Sequence, residues 1–233
     1  MNIHFTDKTL LDGLVKSTIV NIKVGSHVYG LENEQSDDDW LVIYLESFSE
    51  RDSFMWEHHQ LQYKEDGVDH NFTSLQVFIR NILTGDNTIN FEALHSDTMR
   101  DSNLSWLWDM RDDFVNHNII KSYLGLAKRD LKFWLKDTNK GKKHSAKTYK
   151  RLSHFIRGVI FAKQLIEGTF SLDLTKSNTT TLFDGNDYQL VKAVKEGNVT
   201  GDIERLYNHY EIIMIYIITM KYTIICLLIK WLN

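Results

Sequence analysis

The chain has 233 residues, 42% hydrophobic and 25% charged, which is enough to bury a core and excludes an intrinsically disordered chain. It has no proline and a single cysteine, Cys226, which excludes an intramolecular disulfide framework and a cysteine-based zinc site. The net charge of −4 hides a segregation, with 8 basic and 21 acidic residues in 1–120, 13 and 2 in 121–165, and 6 and 8 in 166–233. A helix is predicted after Thr6-Asp7, where Leu10, Leu11, Leu14 and Val15 recur at helical spacing. The β-branched run 19–24 reads as a strand that stops at Gly25-Ser26. A short helical segment and a polar run over 32–36 lead to a second apolar strand over 40–45. Two further strands are predicted over 54–63 and 68–73, joined by the turn Glu65-Asp66-Gly67.

From Ser74 the period becomes helical. Leu75, Phe78, Ile79 and Ile82 line one face, and Gly85 ends the helix. A short helix is expected over 90–95, and longer ones over 119–136, 145–168, 188–196 and 202–230. The expected class is therefore α+β, with a small mixed-sheet module over 1–115 and a helical module over 116–233, and a soft boundary between 100 and 118. The final helix is almost wholly apolar over 212–229 but carries Lys221, so a buried core helix or a homodimer contact is expected there rather than a membrane span. No basic segment followed by an apolar run stands at the N-terminus, so a cytoplasmic protein is expected.

The chemistry concentrates in residues 25–39. They read Gly25-Ser26-His27-Val28-Tyr29-Gly30, five residues, then Ser36-Asp37-Asp38-Asp39. Alternate side chains share a strand face, so Asp37 and Asp39 are expected on one side and Asp38 on the other. Two carboxylates together suit a hard cation such as magnesium. Gly25 lets a phosphate approach the backbone, Ser26 adds a hydroxyl donor, and the helical segment offers free N–H groups.

The basic segment adds a second feature. Lys150, His154 and Arg157 fall on one helix face, with Lys143, Lys147 and Arg151 close by. That stripe suits phosphates, and its plain alternative is a solvated face with His154 half-buried. His58, His59 and His70 have no zinc spacing and read as strand surface residues. Trp106, Trp108 and Trp134 read as core anchors, and Cys226 as inert packing.

The pattern resembles the DNA-polymerase-beta-like nucleotidyltransferase superfamily, whose signature is Gly-Ser followed after a spacer by Asp-x-Asp. It is most similar to the predicted nucleotidyltransferases associated with RNA repair, which carry Gly-Ser-x-x-Tyr-Gly, a spacer and Ser-Asp-x-Asp. Gly25, Ser26, Tyr29, Gly30, Ser36, Asp37 and Asp39 meet these positions. The resemblance covers most of residues 20–170 and fades beyond, where the chain looks short for the group.

The resemblance implies a polymerase-beta-like palm and a third carboxylate on a neighbouring strand, Asp69, with Asp66 as its rival. It also implies a following helix, then an Asn and a Glu, matched by Asn87 or Asn90 and by Glu92. The family's Lys-x-x-x-His-x-x-Arg and later Gly are met by Lys150, His154, Arg157 and Gly168. Two magnesium or manganese ions would be held by Asp37, Asp39 and Asp69. A nucleoside triphosphate would be bound by Gly25, Ser26, Tyr29, Lys150, His154 and Arg157. The implied activity is transfer of a nucleoside monophosphate to an acceptor hydroxyl on a polynucleotide such as tRNA or RNA. The alternative is a nucleotide-binding sensor or a partner-neutralising, antitoxin-like protein acting on a protein hydroxyl.

Overall fold

The computed structural model describes residues 3–4, 8–32, 36–45, 60–65, 67–138, 145–174, 187–198 and 203–232. The chain divides into two compact units, Met1–Ile119 and Ile120–Asn233.

The first unit is built on a mixed sheet. Its strands are β1 (Ile3–His4), β2 (Thr18–Lys23), β3 (Asp38–Tyr44), β4 (Gln60–Glu65) and β5 (Val68–Ser74). Their order is β1-β4-β5-β3-β2. β3 runs parallel to β5, and β1 parallel to β4, while the pairs β2–β3 and β4–β5 are antiparallel. β1 escapes sequence reading because two residues carry no alternation. The expected third strand is described over Gln60–Glu65, and residues 54–59, including His58 and His59, lie outside the described residues, as does Asp66.

Alternation sorts the two sheet faces. Val20, Ile22, Val24, Leu41 and Ile43 pack with Phe78, Ile82, Leu94, Met99 and Leu107. Val42, Tyr44, Leu61 and Phe72 form a smaller cluster on the other face with Leu14. Leu14 belongs to α1 (Lys8–Lys16). β3 lies inside the sheet between β5 and β2, and its residues 41–44 are buried on both faces, which is why this strand reads as a continuous apolar run.

Four helices complete the unit: α2 (Leu75–Thr84), α3 (Thr88–Leu94), α4 (Asp97–Arg100) and α5 (Ser105–Asp109). Ser74 caps α2 by accepting from the Val77 amide. Gly85 closes α2 at φ 69°, and an added Cβ would lie 2.5 Å from the Ile119 nitrogen, so glycine is required twice over.

The second unit is helical. α6 (His117–Thr138) supplies most of its first helix, followed by α7 (Ala146–Glu167), α8 (Asp187–Glu196) and α9 (Ile203–Leu232). Leu152, Phe155, Ile156, Val159 and Phe161 of α7 are buried. Gly158 lets α6 come close, since a Cβ there would meet Ala127 Cβ and the Tyr123 carbonyl at 3.2 Å. Trp134 is 1% exposed, the core anchor expected, whereas Trp106 is 49% exposed. On α9, Leu206, Tyr210, Met214 and Ile217 are buried, and Ile212, Ile215 and Tyr216 form an exposed apolar stripe. The packing of Cys226 falls outside the described residues. Among the described residues no helix is long and apolar enough to cross a membrane.

Candidate active site

The Gly25-Ser26 segment is held against the start of β3. The Val24 amide donates to the Asp39 carbonyl at 2.9 Å. The chain then turns at Gly25, with φ 73° in the left-handed region. A Cβ at Gly25 would lie 3.2 Å from Asp39 Oδ2. Glycine is therefore needed for the backbone turn and for the close approach of the carboxylate. Residues Gly25–Tyr29 form the expected helical segment as a 3₁₀ turn, closed by Leu31 N–H donating to Ser26 O at 3.0 Å.

Tyr29 points into the fold. It is 3% exposed, and its hydroxyl donates to Glu92 Oε2 on α3, itself 4% exposed. A ring so placed pins the glycine-serine turn to the helix layer. Sequence offered a hint, since Glu92 is the one acid in the otherwise apolar or neutral stretch of α3. Asn87 caps that helix by accepting from the amides of Ile89 and Asn90.

The carboxylates sort by strand parity. Asp39 pairs in register with Asp69 on the adjacent parallel strand. Asp39 lies on the face of Leu41 and Ile43. Lys64 Nζ donates to Asp69 Oδ2 at 3.1 Å. Asp69 Oδ1 is buried with no hydrogen-bond partner among the described residues. Asp38 faces the other way, with Lys23 Nζ at 2.8 Å and His27 Nε2 at 3.3 Å from its Oδ1. Its hydrogen bond with Lys23 holds that carboxyl below the usual range. Asp37 is exposed and precedes the strand by one residue.

An oxygen-only donor set with an orphaned buried carboxylate oxygen fits a hard divalent cation. The expected three-carboxylate cluster is not assembled: among the described residues no group of three His, Cys, Asp or Glu side chains stands close enough to hold a metal. Asp37 precedes the register of β3 with β5, which begins at Asp38.

Lys150, His154 and Arg157 lie on α7 of the second unit. Burial, then the neighbouring Arg157 and Lys150, push the His154 imidazole down to about 3. Asp130 Oδ2 lies 3.9 Å from its Nδ1. Burial raises the Asp130 carboxyl. At neutral pH His154 thus brings hydrogen-bonding capacity to the stripe, not charge. Arg151 stacks 4.4 Å over Phe133 and reaches Asp137 at 3.6 Å, so it is spent on the α6–α7 contact. Lys143 lies outside the described residues.

Residues 13–187 match the model of the RNA repair pathway DNA polymerase beta family. The chain belongs to this family. It is accordingly a transferase of the polymerase-beta nucleotidyltransferase type. The mixed sheet followed by helices is consistent with that fold. A nucleotidyltransferase-like protein from Exiguobacterium sibiricum, known by crystal structure, shares 13% identity over 92% of this chain and 73% of its own, with a TM-score of 0.34. Comparison with curated proteins gives no match.

Proposed function

We propose that this nucleotidyltransferase joins a nucleoside monophosphate from a nucleoside triphosphate to a hydroxyl of an RNA acceptor, in the cytoplasm. The observation that carries the reading is the register of Asp39 with Asp69 beside the left-handed Gly25.

Gly25 and Ser26 would seat the triphosphate, since the glycine leaves room for a phosphate at the backbone and the hydroxyl donates to it. Asp39 and Asp69, with Asp37 at the entry to the strand of Asp39, are the residues that would hold divalent cations. Magnesium or manganese bound there would neutralise triphosphate charge and acidify the acceptor hydroxyl. In the reaction the acceptor oxygen bonds to the α-phosphorus, the bond from that phosphorus to the bridging oxygen of the β-phosphate breaks, and pyrophosphate departs. The hydroxyl proton passes to solvent. No side-chain nucleophile is required, so the protein acts by positioning and by charge. Lys150 and Arg157 would hold phosphates, with His154 as a neutral hydrogen-bonding partner. The first unit is the catalytic domain in this reading.

The test incubates the protein with each ribonucleoside triphosphate, a magnesium or manganese salt and total RNA, and measures pyrophosphate and label on RNA. Wild type should release pyrophosphate, and Asp39→Asn and Asp69→Asn should each lose at least about 100-fold, the scale of one lost electrostatic group. Equal release by wild type and both variants overturns the reading.

A further inference from the structure

On the sheet face turned away from Asp39 and Asp69, one row of side chains crosses four strands. Lys23 of β2 pairs with Trp40 of β3, Trp40 with His70 of β5, and His70 with Tyr63 of β4. Strand parity puts the row on the side of Val42 and Phe72. The ammonium of Lys23 lies 5.6 Å from the Trp40 ring centroid. The rings of Tyr63 and His70 are 6.4 Å apart, as are those of His70 and Phe72. Trp40, Tyr63 and His70 are each half-buried. Beside the row runs a groove of about 320 Å³ lined by Asn21, Val42, Tyr63, His70 and Phe72, with Val15 of α1 at its rim.

Core packing accounts for this row only in part, since Tyr63 packs against the cluster beside it. Leu14 of α1 covers the cluster of Val42, Tyr44, Leu61 and Phe72. The next row along the strands keeps three aromatic rings partly open to solvent. Planar rings at the spacing of adjacent strands, open on one side, are a stacking surface for unpaired bases. At one end Lys23 is already paired with Asp38 at 2.8 Å, and the Asn21 amide suits a base edge. A duplex keeps its bases stacked on one another, so the surface selects single strands. The groove volume is in the range that takes one planar ring system.

We propose that Trp40, His70 and Tyr63 form a stacking platform for unpaired bases of the RNA acceptor, with Asn21 at a base edge. This deepens the reading of RNA as acceptor and rests on it. Trp40 follows Asp39 directly, so the platform lies on the reverse side of the strand start that carries the candidate carboxylates.

The test uses the full chain in EDTA without nucleotide, so that binding is separated from chemistry. Fluorescence anisotropy compares a labelled single-stranded RNA with its duplex, and ultraviolet crosslinking with mass spectrometry maps the contact. The single strand should bind more tightly, with crosslinks on peptides carrying Trp40 or Tyr63. Tyr63→Leu and His70→Leu should each weaken single-strand binding about 10-fold, with circular dichroism unchanged. Should either variant misfold, the crosslink map on wild type decides. Unchanged affinity in folded variants, preference for the duplex, or crosslinks confined to other peptides overturns the platform. The two readings fail separately. RNA labelled normally by variants that bind normally removes the platform alone. Asp39→Asn that still transfers, beside platform variants that lose RNA, removes the catalytic assignment alone.

Discussion

The hydroxyl of Tyr29 donates to the carboxylate of Glu92 across 63 positions of sequence, with both residues almost fully buried. The bond ties the turn that follows β2 to α3, and so fixes where Gly25 and Ser26 stand. A buried carboxylate that loses a donor pays its desolvation cost with less return. Tyr29→Phe should therefore lower unfolding free energy by about 1–3 kcal/mol in urea titration. Glu92→Gln keeps an acceptor for the phenol and should lose less. Because Tyr29 positions the turn and does not touch the reacting atoms, Tyr29→Phe should raise KM for the nucleotide more than it lowers kcat. Unchanged stability in Tyr29→Phe would contradict the structural role.

Gly25 makes a sharper case. Its φ of 73° disfavours any other residue, and a Cβ would press on Asp39 Oδ2 at 3.2 Å. Gly25→Ala should cost about 1–2 kcal/mol from the backbone alone. It should also depress pyrophosphate release beyond what that loss of folded protein explains, since it moves a candidate ligand carboxylate. Gly13 is the control. It sits in α1 with nothing within 4 Å of an added Cβ, so Gly13→Ala should raise stability by up to about 1 kcal/mol and leave turnover unchanged.

Much of this site was legible in sequence for a physical reason. Glycine, serine and alternate aspartates are local signals, and their spacing fixes parity along a strand. Thus the opposed directions of Asp38 and Asp39 could be read directly. The pairing of Asp39 could not be read from spacing, and only the resemblance pointed to Asp69. Its register with Asp69 depends on which strands become neighbours, and the parallel pairing of β3 with β5 is set by the whole sheet. The contact of Tyr29 is hidden for a related reason: a tyrosine in a motif looks the same in sequence whether or not it meets a buried glutamate. His70 read correctly as a strand residue, but its row with Trp40 and Tyr63 emerged only once four strands were in register.

Lys64 gives a third prediction. Asp39 and Asp69 stand side by side, and like charges opposite one another destabilise a sheet. The Lys64 ammonium, 3.1 Å from Asp69 Oδ2, offsets that repulsion in the absence of a metal. Lys64→Met should lower the melting temperature in EDTA. It should also enlarge the upward shift produced by manganese, because the cation then relieves a larger repulsion and has no ammonium to displace. Differential scanning fluorimetry with and without manganese reads both effects. A shift no larger than that of wild type would show that Lys64 and the cation do not share the site.

Acid should weaken the first unit through His95. The residue ends α3, stacks on Phe91 with centroids 4.5 Å apart, and its Nδ1 lies 2.9 Å from the Phe91 carbonyl oxygen. An imidazole next to a carbonyl oxygen donates from Nδ1–H, which is the neutral tautomer's arrangement as well as the cation's. Burial dominates and pushes His95 down to about 4, below the ordinary 6.5. The unfolded chain thus takes up a proton that the folded chain refuses between those values. Stability is fully present above pH 6.5, falls as pH drops toward 4, and levels off below that, for a loss on the order of 3 kcal/mol. His154, held down to about 3, acts in the same direction in the second unit, with 35% of its side chain exposed and a correspondingly weaker effect. Urea midpoints measured from neutral pH to near pH 4 should therefore decline for wild type. His95→Gln, which cannot take up the proton, should start lower and decline less steeply. Parallel slopes for the two proteins would show that His95 titrates in the folded state as it does in the unfolded one.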